Sequence, residues 1–316
     1  NVEKALAYIL APLEEAGLPF AFVYGNHDYE APLSIERQES LYRGYDNCMA
    51  PAFDESGAYY LPLYPQLGDT AAMNLYFFES GPDYTRGNYS AVSEEQVAWY
   101  IETSNRLRAE SDGAITPAVA FSHVPVAEVY ELFTEVPRGT PGALSRRKKS
   151  YLPNDARILI GEANEAPCPS EANFGLFEAF LSQGDVFLAM SGHDHVNSFI
   201  GSVQGIDLGT APGSTYTSYG SKAMRGVRLL RFYEDDVSSY TTIHVRYADL
   251  VQTGGLSAIR YYLSTTTLLP NAVKTVLLLA LLLTAIILTI RHIVHPSKRI
   301  KPPVEELDSG FDDEAP

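Results

Sequence analysis

Helical stripes alternate with short apolar runs bounded by turn residues from residue 1 to about residue 245, which predicts one α/β domain over that stretch. Val2, Leu6, Ile9, Leu10 and Leu13 recur at helical spacing and open the chain with a helix. Ser93 followed by Gln96 has the form of a capping box and predicts a helix through Trp99 and Leu107. Residues 20–24, 118–121 and 186–190 are apolar runs of strand length, and residues 225–233 with 240–245 form an expected hairpin around Glu234 and Asp235. The stretch 140–154, with its run Arg146, Arg147, Lys148 and Lys149, is expected to be a loop whose charges face solvent. No internal repeat is visible.

A different pattern begins at Leu268. Residues 276–290 are apolar apart from Thr284 and Thr289, and the stretch reaches the roughly 20 residues of a bilayer core once Lys274 snorkels towards the headgroups. This predicts a transmembrane helix over residues 268–290. A soluble core helix is the alternative, but a segment so uniformly apolar, followed by a polar tail, has nothing to pack inside. Arg291, Lys298, Arg299 and Lys301 follow the span, whereas Lys274 and Arg260 are the cations just before it. The positive-inside rule then puts residues 291–316 in the cytoplasm and the domain of residues 1–249 outside, with residues 250–267 as a linker. The tail, acidic after Pro302 and Pro303, is expected to be disordered.

Charge narrows the partners. Acidic residues outnumber basic ones 39 to 23, for a net charge of -16, which argues against nucleic acid as a partner. A phosphorylated substrate needs local positive charge, and bound metal ions can supply it. Cys48 and Cys168 are too few for a disulfide scaffold and lack structural-zinc spacing. Either they form one long-range bridge, which the outward topology favours, or they are two unrelated thiols. The chain opens on Asn1 rather than Met, with no signal peptide visible.

Each of the three apolar runs ends in residues of metal-ligand type. Residues 20–24 lead into Gly25-Asn26-His27-Asp28, residues 118–121 into Ser122-His123, and residues 186–190 into Ser191-Gly192-His193-Asp194-His195. In open α/β sheets ligands collect at the carboxyl ends of strands, so one rim can gather all three clusters. A lone histidine after a strand is ordinarily a turn residue. Three coincidences point instead to neutral imidazoles and an amide oxygen around Zn, Mn or Fe. No Gly-x-Ser-x-Gly occurs and neither cysteine lies beside a base, so no side-chain nucleophile competes.

Gly25-Asn26-His27-Asp28, His123 and Gly192-His193-Asp194-His195 resemble the last three blocks of the calcineurin-like metallophosphoesterases. Asn173-Phe174-Gly175-Leu176-Phe177, Gly184-Asp185-Val186, His195-Val196-Asn197 and Tyr219-Gly220 are similar more specifically to the purple-acid-phosphatase-like branch, and the resemblance runs over residues 1–233. It implies a four-layer α/β/β/α sandwich, with Asn26, His123 and His193 on one metal ion and His195 on the other. His27 would contact the phosphoryl group or protonate the leaving oxygen, with Asp28 orienting its ring. The implied cofactors are two divalent or trivalent ions (Mn, Zn or Fe) that activate a bridging hydroxide for in-line attack on a phosphate ester.

The family's opening Asp-x-His and Gly-Asp blocks do not precede Gly25. Gly68-Asp69 follows the motif and reads as a turn before residues 73–78. One ion therefore has three candidate ligands and the other has one. Two expectations follow: a hydrolase whose N-terminal part is missing from this sequence, or a membrane-anchored, catalytically degenerate binding module of the same fold.

Overall fold

The structure, a computed structural model, describes residues 2–52, 56–82, 88–215, 218–221, 224–250 and 271–294, with side chains in the last segment from Thr275. The chain divides into two compact units, Asn1–Thr266 and Thr267–Pro316.

The main sheet of the first unit has seven strands, in spatial order Ala58–Leu63 (β1), Met73–Phe78 (β2), Ala118–Ser122 (β3), Val186–Ser191 (β8), Ile206–Thr210 (β10), Ser198–Val203 (β9) and Ile158–Glu162 (β7). β2, β3, β8 and β10 run parallel to one another, so Phe78, Ser122, Ser191 and Thr210 end side by side on one rim. The other three strands join antiparallel. Both faces are covered, which is why the central strands read as unbroken apolar runs.

On one face Tyr76, Phe78, Ala118 and Ala120 pack against Val97 and Tyr100 of helix α3 (Glu94–Glu110) and Phe177 and Phe180 of α4 (Leu176–Gln183). Each such aromatic stabilises by about 1.5–3 kcal/mol when fully buried. On the other face Met73, Val119, Leu188 and Met190 meet Leu230, Phe232, Val237 and Tyr240 of the hairpin β11 (Gly226–Tyr233) and β12 (Asp236–Arg246). Ala118 pairs with Val186 but Val119 with Leu188, so Phe187 is an extra residue. This bulge turns Phe187 onto the hairpin, 6.2 Å from Phe232 and 6.1 Å from Tyr240 between ring centroids. The fold is thus mixed α/β, with the helix, sheet and second sheet of the expected sandwich stacked in order.

The capping box forms as expected: Ser93 Oγ accepts from the Gln96 N–H at 3.3 Å and Gln96 Oε1 accepts from the Ser93 N–H at 2.8 Å. The expected hairpin forms too. Two local expectations are corrected. Residues 20–24 follow helix α1 (Val2–Glu15) in an extended conformation but make only one ladder bridge, Phe20 with Cys48. The Phe22 N–H finds the Tyr59 hydroxyl at 3.1 Å instead of a strand, and the segment packs with Tyr59, Phe77 and Phe121. Residues 140–154 are not a loop. Leu144–Arg146 (β5) and Lys149–Pro153 (β6) pair through a tight turn in which Arg147 has φ of 52°, and β6 also pairs with Phe133–Val136 (β4).

The first unit's remaining α-helices among the described residues are α2 (Ile35–Tyr42) and the short α5 (Tyr247–Leu250). In the second unit, helix α6 runs Asn271–Val294. Its residues Thr275–Val294, 20 in all with mean hydropathy 2.4, are long and apolar enough to cross a membrane, and none of that window is buried. Thr284 and Thr289 return their hydroxyls to the carbonyls of Ala280 and Ala285 at 2.8 Å, satisfying them without water. The expected linker 250–267, the start of the expected span, and Lys298, Arg299 and Lys301 lie outside the described residues, apart from Leu250 in α5.

Candidate metal centre

The parallel strand ends are knitted together by backbone. The His123 carbonyl, just beyond β3, accepts from the Gly192 N–H at 3.1 Å and the His193 N–H at 3.0 Å, just beyond β8. Gly25-Asn26-His27-Asp28 docks beside them as a 3-10 turn over Asn26–Asp28. Asp28 Oδ2 closes this turn by accepting from the Gly25 N–H at 2.7 Å. Burial raises the Asp28 pKa, and that hydrogen bond opposes the shift.

Three sequence-predicted ligands meet here. His123 Nε2 lies 3.0 Å from Asn26 Oδ1 and 3.1 Å from His193 Nδ1. Asn26 is buried, and the Tyr89 ring stands edge-on to His193 with centroids 4.1 Å apart. Burial, then His195 and His27, pushes the His123 pKa down to about 4. Burial, then His123, His195, Arg146 and His27, pushes His193 down to about 3. Both rings are neutral at pH 7, the form that ligates metals.

His195 has contacts of its own beside this trio. Its ring stacks on Tyr219 at 4.2 Å, and its Nδ1 donates to the Tyr219 carbonyl at 3.1 Å, which leaves Nε2 with its lone pair. Tyr219 in turn donates to Glu165 at 3.0 Å, and Glu165 also accepts from the Val196 N–H at 3.0 Å. Burial and Glu165 raise the Tyr219 pKa, so its hydroxyl stays protonated.

His27 is exposed at the rim, with Nδ1 2.7 Å from Glu30 Oε2. Glu30 is thus the carboxylate on His27 Nδ1, while Asp28, expected to orient that ring, accepts from the Gly25 N–H through Oδ2. An i,i+3 partner on a turn was within reach of sequence reasoning, whereas Arg146, Tyr89, Tyr219 and Glu165 arrive from distant segments. Glu79 was also missed. It follows the apolar β2 as His123 follows β3, and burial raises its pKa to about 7.

Donor atoms about 2.0–2.1 Å from one ion stand roughly 3 Å apart. The spacing of Asn26, His123 and His193 fits that, and two imidazoles with an amide oxygen suit Zn, Mn or Fe. For a second ion the described residues offer His195 alone of the expected set. Among the described residues, no group of three or more His, Cys, Asp or Glu side chains is placed to hold an ion.

The expected disulfide does not form: Cys48 and Cys168 are both free. Asp194, the middle residue of His193-Asp194-His195, is buried and accepts from the Cys168 N–H at 3.1 Å. Burial and this carboxylate push the Cys168 thiol up to about 12, leaving it inert.

The structure thus gathers histidines and an amide at the parallel strand ends of a mixed α/β sheet. Comparison with known proteins adds relatives. The chain is 28% identical over 242 residues to Probable inactive purple acid phosphatase 28 of Arabidopsis thaliana, covering 70% of this chain and 55% of that protein. Probable inactive purple acid phosphatase 14 of the same plant is 27% identical over 244 residues, at 70% and 55% coverage. The chain thus spans about half the length of the curated relatives it matches. No family model matches it. A solved dimetal phosphatase of Danio rerio aligns over 78% of this chain and 72% of that one, with TM-score 0.43 and 14% identity. These relatives bear the name of purple acid phosphatases, each as probably inactive, which is the branch that the motifs resemble.

Proposed function

We propose that this chain belongs to a metal-dependent phosphoric ester hydrolase tethered by one helix. The observation that carries this reading is the contact of Asn26 Oδ1, His123 Nε2 and His193 Nδ1 at 3.0–3.1 Å on the rim. These three would hold one ion, and His195 through Nε2 would contribute to the site of a second. Bound there, Mn, Zn or Fe would supply Lewis-acid charge and activate water at neutral pH. Glu30 holds the His27 ring by Nδ1, which leaves Nε2 to meet a phosphoryl or leaving-group oxygen. The test is phosphate release from 4-nitrophenyl phosphate by the full chain with Mn²⁺, Zn²⁺ or iron added. Metal-dependent turnover that His193→Ala lowers by at least ~10²-fold supports the reading.

A second reading is a membrane-anchored binding module that keeps the fold without turnover. It is favoured by the isolation of His195 from any expected co-ligand among the described residues and by the relatives' names. Tight metal binding with no hydrolysis of any aryl phosphate would select it.

The same proposal extends to topology, with residues 1–249 outside the membrane and residues 291–316 in the cytoplasm. Arg291 in the last turn of α6 supports it. Protease added to intact cells should digest the segment around His193 and spare an epitope placed after Pro316. The reverse pattern contradicts the orientation.

A further inference from the structure

Asn88 has Ser90 two residues on and Tyr89 between, and no other asparagine of the chain is followed at that spacing by Ser or Thr. With any residue but proline in the middle, this spacing makes the side-chain amide an acceptor of N-linked sugar in a secretory compartment. The fold treats the three residues differently. Ser90 is 4% exposed, and its hydroxyl donates to the Pro82 carbonyl. Tyr89 is built into the rim: its carbonyl accepts from the Ser170 hydroxyl at 2.7 Å, and its ring stands edge-on to His193 with the Arg146 guanidinium 5.4 Å from its centroid. Asn88 is half-buried, and its amide makes no hydrogen bond among the described residues, whereas Asn26, Asn74 and Asn197 are buried. An amide with no internal partner can carry a substituent into solvent without stranding a buried group.

We propose that Asn88 carries an N-linked glycan. The inference rests on the outward topology of residues 1–249, which supplies the compartment. In the transfer, Asn88 Nδ2 bonds to the anomeric carbon of a sugar held on a lipid diphosphate. The bond from that carbon to the diphosphate oxygen breaks, the lipid diphosphate leaves, and the amide gives up one proton. Burial of Ser90 sets the order of events. The hydroxyl that the transfer requires is within reach only in the unfolded chain, so the sugar is added before the domain folds. Folding then draws Tyr89 and Ser90 inward and leaves the glycan at the lip of the metal centre, one residue from the ring that packs on His193.

The test uses the full-length protein expressed in eukaryotic cells, denatured in detergent and treated with the amidase that cleaves N-linked sugar from asparagine. Wild type should lose mass on treatment and show aspartate at position 88 by peptide mass spectrometry. Asn88→Gln and Ser90→Ala should run at the lower mass before treatment, and Ser90→Thr, which keeps the hydroxyl, should keep the shift. Because the sugar is read on denatured protein, a variant that fails to fold still gives the result. Protease added to the intact cells reports the topology separately. A wild-type domain that is digested from outside but shows no shift overturns the glycan and leaves the topology standing. No shift in a domain protected from protease overturns both. A shift that survives in Asn88→Gln overturns the assignment to this residue.

Discussion

Gly25 is the position where one methyl group should tell most about the rim. Its φ of -100° and ψ of 170° are open to any residue, so backbone freedom does not require glycine there. Close approach does. A Cβ at Gly25 would lie 2.8 Å from His123 Cε1 and 2.9 Å from both ring nitrogens. Non-bonded contacts of this kind relax to about 3.5 Å, so Gly25→Ala must push the ring back by ~0.6 Å or more. The ring has little freedom to move, because Nε2 is held by Asn26 and His193 and the His123 carbonyl by two N–H groups. Overpacking of this kind costs about 1–3 kcal/mol. Displacing a ligand from its place typically costs 10–100-fold in metal affinity, as ~2 °C or more of melting temperature reports the strain. The assay is a Mn²⁺ titration alongside a melting curve of the metal-free protein. A lowered melting temperature with Mn²⁺ affinity within about twofold of wild type would show that His123 does not ligate, and would refute the reasoning.

Three further outcomes follow from the same structure. His27→Ala should leave metal content near wild type and lower turnover by ~10²–10⁴-fold, and loss of bound metal would show that His27 is a ligand instead. Glu79 has a folded pKa of about 7, raised by burial above its ordinary value of 4.5, so its contribution to stability is complete below pH 4.5 and lost as pH rises through 7. Glu79→Gln should therefore melt like wild type at pH 4.5 and above it at pH 8, by about 1–3 kcal/mol, and a gap that does not grow with pH contradicts this. Asp185, at the far end of β8, accepts from the hydroxyls of Ser104 at 2.8 Å, Tyr76 at 3.0 Å and Tyr100. Asp185→Ala strands these buried hydroxyls and should cost roughly 3 kcal/mol or more in thermal unfolding while leaving Mn²⁺ affinity unchanged.

The sequence made the parallel strands and their ends legible because burial on both faces writes each strand as an apolar run, and the chemistry sits at the next residue. That rule placed His123 and His193 without any contact being known. It placed residues 20–24 less well. Their apolar pattern reflects packing on Tyr59 and Phe77, but a ladder needs neighbouring strands, and the described residues give them only Cys48. The β5–β6 turn was illegible for a related reason. Charge marks a surface, and nothing local distinguishes Arg147, which finds Glu171, from Arg146, which finds Tyr89 some 57 positions earlier in the chain. The Tyr219 ring on His195 and Glu30 on His27 differ in the same way, one set by tertiary packing and one by a turn.

The Asn26, His123 and His193 cluster as a metal centre is the claim on which the proposed activity depends. Anomalous diffraction from crystals of the full chain grown with Mn²⁺ tests it most directly. A difference peak about 2.0–2.3 Å from Asn26 Oδ1, His123 Nε2 and His193 Nδ1, absent from crystals of His123→Ala, is the expected result. A map without density at that point, from crystals in which all three side chains are ordered and Mn²⁺ is in excess, would contradict it.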